Sequence, residues 1–468
     1  GIIIAKYVLK KFKIMSKIIG IDLGTTKMRL KLHCFFYCLL MVLIILACKS
    51  DEDDLCCPPD GNQEITNPNV LLIIADDMGL DASPGYNVGT LKPNMPNLQN
   101  LINSGIRFNN VWSNPVCSPT RSTILTGKYG YRTGVLIGGD PLSTSEISLQ
   151  TYINANSGNE YSNAVVGKWH LSGTPTQPSH PNDIGVQYFS GVIGGGVESY
   201  YNWQHTENGQ VSNSNEYTTT KLTDDAITWI NDQEQPWFLW LAYNAPHTPF
   251  HVPPSDLHYQ GSLPEDQASI DTNPLPYYLA AIEAIDSEMG RIFNSISSED
   301  LENTVIIFLG DNGTPGQVVQ QYHSQRAKGS LYKGGINVPM IISGKGVNRI
   351  NAQEDALIST VDLFATISEL CGISTDEIHD SISFKELLNS SGGNDRSNIY
   401  SELGSNYFAI RNSTHKYMSF EDGSEALYNL EENPFEMPNL LDPNQLPLSD
   451  NDQENKTELI TLANQIRN

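Results

Sequence analysis

The chain has 468 residues, of which 39% are hydrophobic, so it can bury a large core and form one large domain with a smaller one. Its 28 Lys and Arg stand against 53 Asp and Glu, which gives a formal net charge of −25. This balance argues against a nucleic-acid partner, because phosphate backbones demand clustered cations. An anionic ligand would have to be held by local positive charge.

The N-terminal region has the features of an export signal. An apolar run at 34–47 follows Arg29 and Lys31 and ends at Cys48. It is too short to span a bilayer comfortably. The pattern resembles bacterial lipoprotein precursors, which implies cleavage before Cys48 and lipid attachment to its sulfur. The protein would then be exported and anchored to a membrane of the cell envelope, at the outer-membrane surface or otherwise in the periplasm. A plain cleaved signal or an uncleaved anchor is the alternative.

The segment before this signal carries a motif of its own. MSKIIGIDLGTTK, at 15–27, looks like the phosphate-binding opening of the Hsp70 and actin-like ATPases, but the further segments that this fold needs are not found downstream. A start at Met28 gives a normal signal peptide. We therefore expect 1–27 to be a non-native or mis-annotated extension, 28–48 the lipoprotein signal peptide and 49–67 a polar linker.

Alternating strands and helices are predicted for the next region, 68–384, which we expect to be the catalytic domain. NVLLIIADD opens it with a continuous apolar run, typical of a strand buried on both faces. MPNLQNLINSG has helical periodicity, and an amphipathic helix is predicted at 277–296. The pattern indicates an α/β fold with a large mixed, mostly parallel sheet between helices. Further strands are predicted at 164–166, 237–243, 304–309 and 338–343.

The remaining residues, 385–468, are predicted to form a small C-terminal α+β subdomain. Short polar-apolar strands occur in YFAIRNSTHKYMSFEDGSEALYNL, and a helical stretch follows in ELITLANQIRN. Of the seven cysteines, three lie in the N-terminal apolar segment, and the others are Cys56, Cys57, Cys117 and Cys371, which is no disulfide framework. Cys371 lies in a helical pattern and is expected to be an ordinary buried thiol.

Oxygen-bearing side chains follow two of the predicted strands. Asp76 and Asp77 end the first strand, and Asp311 and Asn312 end TVIIFLG. Ligands of open α/β sheets collect at the carboxyl ends of strands, where these four side chains would converge. Their proximity requires a cation, and an all-oxygen set favours Ca²⁺ or Mg²⁺ over zinc. Taken singly, each pair could instead be a turn or a helix cap.

A cysteine is predicted near the start of a helix in NPVCSPTRSTILTGK. Pro119 suits the first turn, which places Cys117 where exposed N–H groups favour an anion, with Arg121 one turn further on. Taken alone, this pattern is equally typical of a thiol whose pKa is lowered by the helix.

CSPTR, however, resembles the C-x-P-x-R signature of the type I, formylglycine-dependent sulfatases, and LTG with a basic residue follows it. NVLLIIADDMG, GKWHL, APHTPF, FLGDNG and KGSLYKGGINVP also match in family order, and ALYNLEENPFEMPNL fits, so the resemblance extends over 67–440. It implies an alkaline-phosphatase-like fold, a sulfuric ester hydrolase and one Ca²⁺ ion. It also implies that a separate maturing enzyme oxidises Cys117 to formylglycine, whose hydrated aldehyde attacks sulfur.

The resemblance assigns the metal ligands and part of the anion site. Arg121 would anchor the aldehyde hydrate and the sulfate. Lys168 and His170 are two residues apart at a strand end, so an extended chain points both to one face. Both would meet the sulfate, and His170 would take the hydroxyl proton when the sulfated hemiacetal collapses. The implied Ca²⁺ ligands are Asp76, Asp77, Asp311, Asn312 and formylglycine 117.

Two loops complete the implied site. His247, in APHTPF, would donate a proton to the leaving alcohol oxygen. Lys328 matches the sulfate-binding lysine of the family, with Lys333 as the nearby alternative. The chain departs from the family at Lys333, where Glu is usual, and at Asn337, where Arg is usual, which puts the support of this loop in doubt.

The substrate is predicted only as a class. The chain resembles polysaccharide-active sulfatases of Bacteroidetes, which suggests a sulfated glycan, such as one from marine algae. Two rivals remain, namely a phosphonate or phosphodiester hydrolase of the same superfamily and a non-catalytic surface lipoprotein that binds sulfated glycans. Four aromatic residues could stack on sugar rings or belong to the core: Tyr200, Tyr201, Trp203 and Tyr243.

Overall fold

A computed structural model describes residues 67–374, 377–392 and 396–468. The predictions for 1–27, for the signal peptide with its lipidation site at Cys48, and for nearly all of the linker lie outside these residues. Within them, no helix combines the length and the apolar composition needed to cross a bilayer.

A ten-stranded sheet forms the centre of the large domain. Its order is β10-β2-β9-β8-β1-β7-β3-β4-β5-β6. The five central strands β8, β1, β7, β3 and β4 are mutually parallel, whereas β9, β5 and β6 pair antiparallel. The strands are β1 (Asn69–Ala75), β2 (Ile106–Trp112), β3 (Ser162–Lys168), β4 (Tyr188–Val192), β5 (Trp203–Glu207), β6 (Gln210–Ser214), β7 (Trp237–Tyr243), β8 (Thr304–Gly310), β9 (Met340–Gly344) and β10 (Ala352–Ser359).

Both faces of this sheet are covered, as the apolar strand sequences predict. Every residue of β1 is buried, and alternate side chains enter two different cores. Val70, Leu72 and Ile74 contribute to one, and Leu71 and Ile73 to the other. The continuous apolar run is therefore explained by helices packed on each face of a mostly parallel sheet.

Twelve α-helices are described, and the longer ones form the two outer layers. The layer on the Val70 face includes α2, α4 and α11, and the layer on the Leu71 face includes α1, α6 and α8. The helices are α1 (Pro96–Ser104), α2 (Cys117–Thr126), α3 (Gly130–Thr133), α4 (Leu149–Asn156), α5 (His180–Asp183), α6 (Thr218–Asn231), α7 (Gln267–Thr272), α8 (Leu275–Ser295), α9 (Ser298–Glu302), α10 (Lys333–Ile336), α11 (Leu363–Leu370) and α12 (Asp450–Arg467). Short 3₁₀ helices occur at Ser324–Arg326, Thr360–Asp362, Lys385–Leu388 and Pro443–Gln445.

The C-terminal part adds an antiparallel sheet of four strands, β13 (Ile399–Leu403), β14 (Tyr407–Arg411), β15 (His415–Ser419) and β16 (Glu425–Asn429). One face packs on α12 through Leu459 and Ala463, and the other packs on residues of the large domain such as Trp112 and Leu331. A two-stranded ribbon, β11 (Glu377–Ile378) with β12 (Ser381–Ile382), precedes it. The predicted fold class, a mixed and mostly parallel sheet between helices with an α+β addition, is confirmed.

Candidate active site

Two neighbouring parallel strands bring the four predicted metal ligands together. β1 pairs with β8 so that Ala75 lies opposite Gly310, and the oxygen-bearing residues follow directly. The Asp77 backbone N–H donates to Oδ1 of Asp311 at 3.0 Å, and Nδ2 of Asn312 donates to Oδ1 of Asp77 at 2.7 Å. The convergence expected from the sequence is therefore a consequence of strand register.

Cys117 lies at the first residue of α2 and faces this cluster. Its Sγ is 3.2 Å from Oδ1 of Asp76 and 3.3 Å from Nζ of Lys168. One atom each from Asp76, Asp77, Cys117 and Asp311 lie within 4.8 Å of one another. All four side chains are buried, so this is an enclosed group of three carboxylates and a thiol.

Three basic side chains neutralise the carboxylates. Nη2 of Arg121 is 2.8 Å from Oδ2 of Asp311, and its Nη1 donates to the Lys168 carbonyl at 2.7 Å. Nζ of Lys168 lies 2.5 Å from Oδ2 of Asp76. Nζ of Lys328 lies 2.5 Å from Oδ1 of Asp77 and, unlike the other two, is 21% exposed. The three cations balance the three carboxylates.

The electrostatics of the cluster follow from burial and these pairs. Burial opposes ionisation of Asp76, but the Lys168 ammonium, with His247 and Arg121, holds its pKa below the ordinary value. Burial, reinforced by Asp76, raises the pKa of the Cys117 thiol. Burial and the neighbouring carboxylates thus oppose the thiolate form that a helix N-terminus alone would favour.

The amide of Asn312 tests whether the cluster suits a metal ion. Its Oδ1 is buried, and among the described residues it has no hydrogen-bond partner. A buried amide oxygen left in this way costs free energy unless something binds it. Carboxylate and amide oxygens are the ligands that a hard divalent cation such as Ca²⁺ prefers. The residues present therefore fit the ion that the sequence implies.

His247 follows β7 at the edge of the cluster. Its Nδ1 lies 2.8 Å from the Thr248 carbonyl and its Nε2 lies 3.8 Å from Oδ2 of Asp77. Because a carbonyl only accepts, Nδ1 carries a proton and donates it to Thr248, and Nε2 points towards the cluster. The side chain is 20% exposed, so a ligand entering from solvent can reach it.

His170 follows β3 in a left-handed backbone conformation, with φ of 59°. Oγ of Ser118 donates to its carbonyl at 2.8 Å. Burial, with Lys168 and Arg121 adding to it, lowers the pKa of His170 to about 2. Its imidazole is therefore neutral at neutral pH.

Comparison with known proteins shows the family of the chain. A family model described as Sulfatase matches residues 68–373, more than half of the chain. The chain belongs to the sulfatase family. It is 26% identical over 359 residues to the uncharacterized sulfatase YdeN of Escherichia coli, and this match covers 66% of the chain and 63% of YdeN, less than two thirds of that relative. An ulvan-active sulfatase of Formosa agariphila is 25% identical over 410 residues, covering 81% of this chain and 78% of its own length.

Solved structures share the fold of this sulfatase-family chain. Ps i-CgsB in complex with k-i-k-neocarrahexaose superimposes with a TM-score of 0.73 at 22% identity, covering 86% of this chain and 93% of that one. The phosphonate monoester hydrolase of Agrobacterium radiobacter gives a TM-score of 0.66 at 21% identity, covering 85% and 96%. The fold alone therefore does not separate sulfate from phosphonate chemistry.

The loop carrying Lys328 is supported from the C-terminal part of the chain. Oε2 of Glu436 accepts from the Lys333 backbone N–H at 2.8 Å, and its Oε1 pairs with the buried Lys416 at 2.5 Å. Asn337 donates through Nδ2 to the Asn109 carbonyl at 3.1 Å. Glu436 thus joins the backbone of this loop to Lys416 on β15.

The four aromatic residues suggested for sugar stacking differ in their exposure to solvent. Tyr200, Trp203 and Tyr243 are buried in the core, and only Tyr201 is exposed, at 41%. Tyr200 instead positions the loop of His247, because its Oη donates to the His247 carbonyl at 2.7 Å and to the Asn244 carbonyl at 2.8 Å. Of the four, only Tyr201 remains available to a ligand.

Tyr278 and Ser118 are among the supporting residues that sequence reasoning missed. Oη of Tyr278, on α8, donates to the Asp77 carbonyl at 2.8 Å and holds that residue at a φ of 71°. Ser118 accepts from the Gly139 N–H at 2.9 Å while donating to His170, and so joins α2 to the loop beside it. Tyr278 resembles any core residue of an amphipathic helix, whereas Ser118 lies inside the CSPTR motif.

Proposed function

We propose that this protein hydrolyses sulfate esters of a carbohydrate. The observation that carries the proposal is the set of three cations, two histidines and three carboxylates gathered around residue 117. A sulfate ester resists attack because its oxygens repel a nucleophile, so the site has to place positive charge where negative charge develops. Arg121, Lys168 and Lys328 are the groups that would meet the sulfate oxygens.

The proposal includes Ca²⁺ and formylglycine at residue 117. Asp76, Asp77, Asp311 and Asn312 would hold the ion, together with residue 117. The ion would offset the carboxylates and leave the three basic side chains free to attract an anion. Formylglycine, made from Cys117 by a sulfatase-maturing enzyme, would supply a hydrated aldehyde as the oxygen nucleophile for sulfur.

Two histidines would handle the protons. His170 would take a proton from the hydroxyl of residue 117 once the bound sulfate offsets Lys168 and Arg121, the two cations that help to lower its pKa. His247 holds one proton on Nδ1 against the Thr248 carbonyl, so a second proton would reside on Nε2, towards the cluster. From there it would be given to the leaving alcohol oxygen.

Substitution of His247 by alanine tests this role. We expect kcat on an alkyl sulfate of a sugar to fall by about 10²- to 10⁴-fold, because a poor alcohol leaving group needs a proton. An aryl sulfate with an acidic phenol should lose much less, because that leaving group departs as an anion. Steady-state kinetics on the two substrate classes measure the difference, and an equal loss on both would contradict the role of His247 as the acid.

A carbohydrate sulfate is favoured by the relatives and by the site. One relative is named an ulvan-active sulfatase, and one structural neighbour is a complex with k-i-k-neocarrahexaose. Tyr201 adds an exposed ring to the chain, and such a ring could stack on a sugar. Sulfate release from a panel of sulfated algal oligosaccharides would define the sugar and the ester position.

The nearest rival is a phosphonate or phosphodiester hydrolase. Turnover of an aryl sulfate can be compared with turnover of an aryl phosphonate or phosphate ester of the same phenol. We expect the sulfate ester to be turned over with the higher kcat/KM. The opposite preference would replace the sulfatase proposal with phosphonate or phosphodiester hydrolysis. Binding of sulfated glycans without turnover by the matured protein would instead identify a glycan-binding lipoprotein.

We also propose export and lipid attachment at Cys48, on the basis of the apolar run and its basic flank. Growth of the expressing cells with a labelled fatty acid tests this. The wild type should incorporate the label, and Cys48→Ser should not. A label retained in Cys48→Ser would overturn the assignment.

A further inference from the structure

Contacts within the described part of the chain include no hydrogen bond that would set the orientation of the His170 ring. Its Nδ1 is buried and has no partner among the residues that the structure describes. Ser118 holds only the backbone carbonyl of His170, and the backbone lies at a φ of 59°. A functional imidazole is usually fixed by a hydrogen bond from its second nitrogen. Packing has to fix the ring of His170 instead.

The packing partner is a glycine in the loop that follows β4. A methyl group added to Gly195 would lie 2.4 Å from Nε2 of His170, 2.7 Å from Cε1 and 3.0 Å from Cδ2. Carbon atoms in contact normally lie about 3.5–4.0 Å apart. The ring therefore occupies the space that any side chain at 195 would need, and the backbone of Gly195 bounds it on that side.

The neighbouring glycines show that this contact is specific to one position. A methyl group on Gly194 would meet only Cγ2 of Thr176, at 4.0 Å. One on Gly196 would lie 3.4 Å from Cε1 of His247, an ordinary contact. None of the three has a φ in the left-handed region, so the backbone itself does not demand glycine at these positions.

We propose that Gly195 is a positioning residue for His170. Lacking a side chain, it lets the loop close against the imidazole, and its backbone limits where the ring can lie. The loop thus packs against both histidines. Gly195 sets the position of His170, the proposed base, and Gly196 lies beside His247, the proposed acid. The proposal rests on the role of His170 in the proposed function.

A double-substitution cycle on melting temperature tests the contact without any assumption about activity. In the wild type, Gly195→Ala should lower the melting temperature, because the methyl group has to displace the ring. In a His170→Ala background the space is vacant, and the same substitution should leave the melting temperature unchanged. Gly194→Ala is the matched control and should have no effect in either background.

The same cycle on kcat tests the positioning. Gly195→Ala should reduce kcat on an aryl sulfate by about 10²-fold, the cost of misplacing a reacting group by about 1 Å. KM should change little, because Arg121, Lys168 and Lys328 remain in place. Gly196→Ala should reduce kcat much less. Adding Gly195→Ala to the His170→Ala variant should not reduce kcat further.

Non-additivity between the two substitutions, in either measurement, supports the proposal. Additive effects in both, or a Gly195→Ala protein with wild-type kcat and melting temperature, would overturn it. If the wild type turns over no sulfate ester, the proposed function fails, whereas the melting-temperature cycle still decides whether Gly195 holds His170.

Discussion

Substitution of Cys117 by alanine is expected to lower kcat for sulfate-ester hydrolysis by at least about 10⁴-fold, as removal of the nucleophile does in other hydrolases. The fold should survive, because the thiol donates one hydrogen bond to Asp76 and fills little volume. Cys117→Ser should be as inactive when its hydroxyl is not converted to the aldehyde. Initial rates on an aryl sulfate, with melting temperatures to show that the variants are folded, measure the effect.

Cys371 provides the matched control for this experiment. It is also a buried cysteine, at the end of α11 and away from the cluster. Cys371→Ala should keep wild-type kcat. Mass spectrometry of the peptide that contains residue 117 adds a second test, since conversion to formylglycine removes sulfur and two hydrogens and adds one oxygen. An active enzyme whose residue 117 is entirely unmodified thiol would disprove the formylglycine proposal.

Removal of divalent metal is expected to abolish turnover and to lower the melting temperature. The physical reason is the burial of three carboxylates and an unpartnered amide oxygen within one small volume. An ion that binds only the folded protein stabilises it by about 4 kcal/mol at a thousand times its Kd. Dialysis against a chelator, followed by titration with Ca²⁺, should restore both activity and melting temperature in parallel.

Asp311→Asn should weaken this response to Ca²⁺, because it removes one carboxylate of the cluster and the partner of Arg121. The exposed Asp355, which contacts Asn109 at the sheet edge, supplies the control, and Asp355→Asn should respond like the wild type. Full activity in the thoroughly dialysed protein would contradict a metal-dependent mechanism. If Mg²⁺ but not Ca²⁺ restores activity, the proposed metal site stands and the ion assigned to it becomes Mg²⁺.

The parts of the fold that sequence predicts well are those in which burial leaves a local pattern. β7 has the predicted bounds, and the long helix α8 differs from its prediction by two residues at the start and one at the end. β2, at Ile106–Trp112, escaped prediction because it pairs with β9 and β10 near the edge of the sheet, where its two asparagines are tolerated. Mixed polarity of this kind is typical of edge strands and of loops alike.

The residues of the candidate site also differ in how well the sequence predicts them. The convergence of the carboxylates was predictable because a rule of α/β sheets connects strand ends with ligands, and Asp76 and Asp311 follow strands that are apolar and easily recognised. The roles of Gly195, Tyr200 and Tyr278 were not predictable, because each depends on a contact with a residue distant in sequence. A glycine in a loop or a tyrosine in a core has no sequence signal that reveals its partner.

The sequence separation within the cluster bears on the order in which the protein becomes active. Arg121 and its partner Asp311 are 190 residues apart, so an emerging chain carries Cys117 long before the strand that encloses it is synthesised. In the finished fold the thiol is only 3% exposed. The proposed maturing enzyme would therefore have its opportunity during synthesis, while α2 is still uncovered. Under this proposal, a chain that folds before it meets the maturing enzyme would keep Cys117 buried and unmodified. It would be a stable but permanently inactive protein.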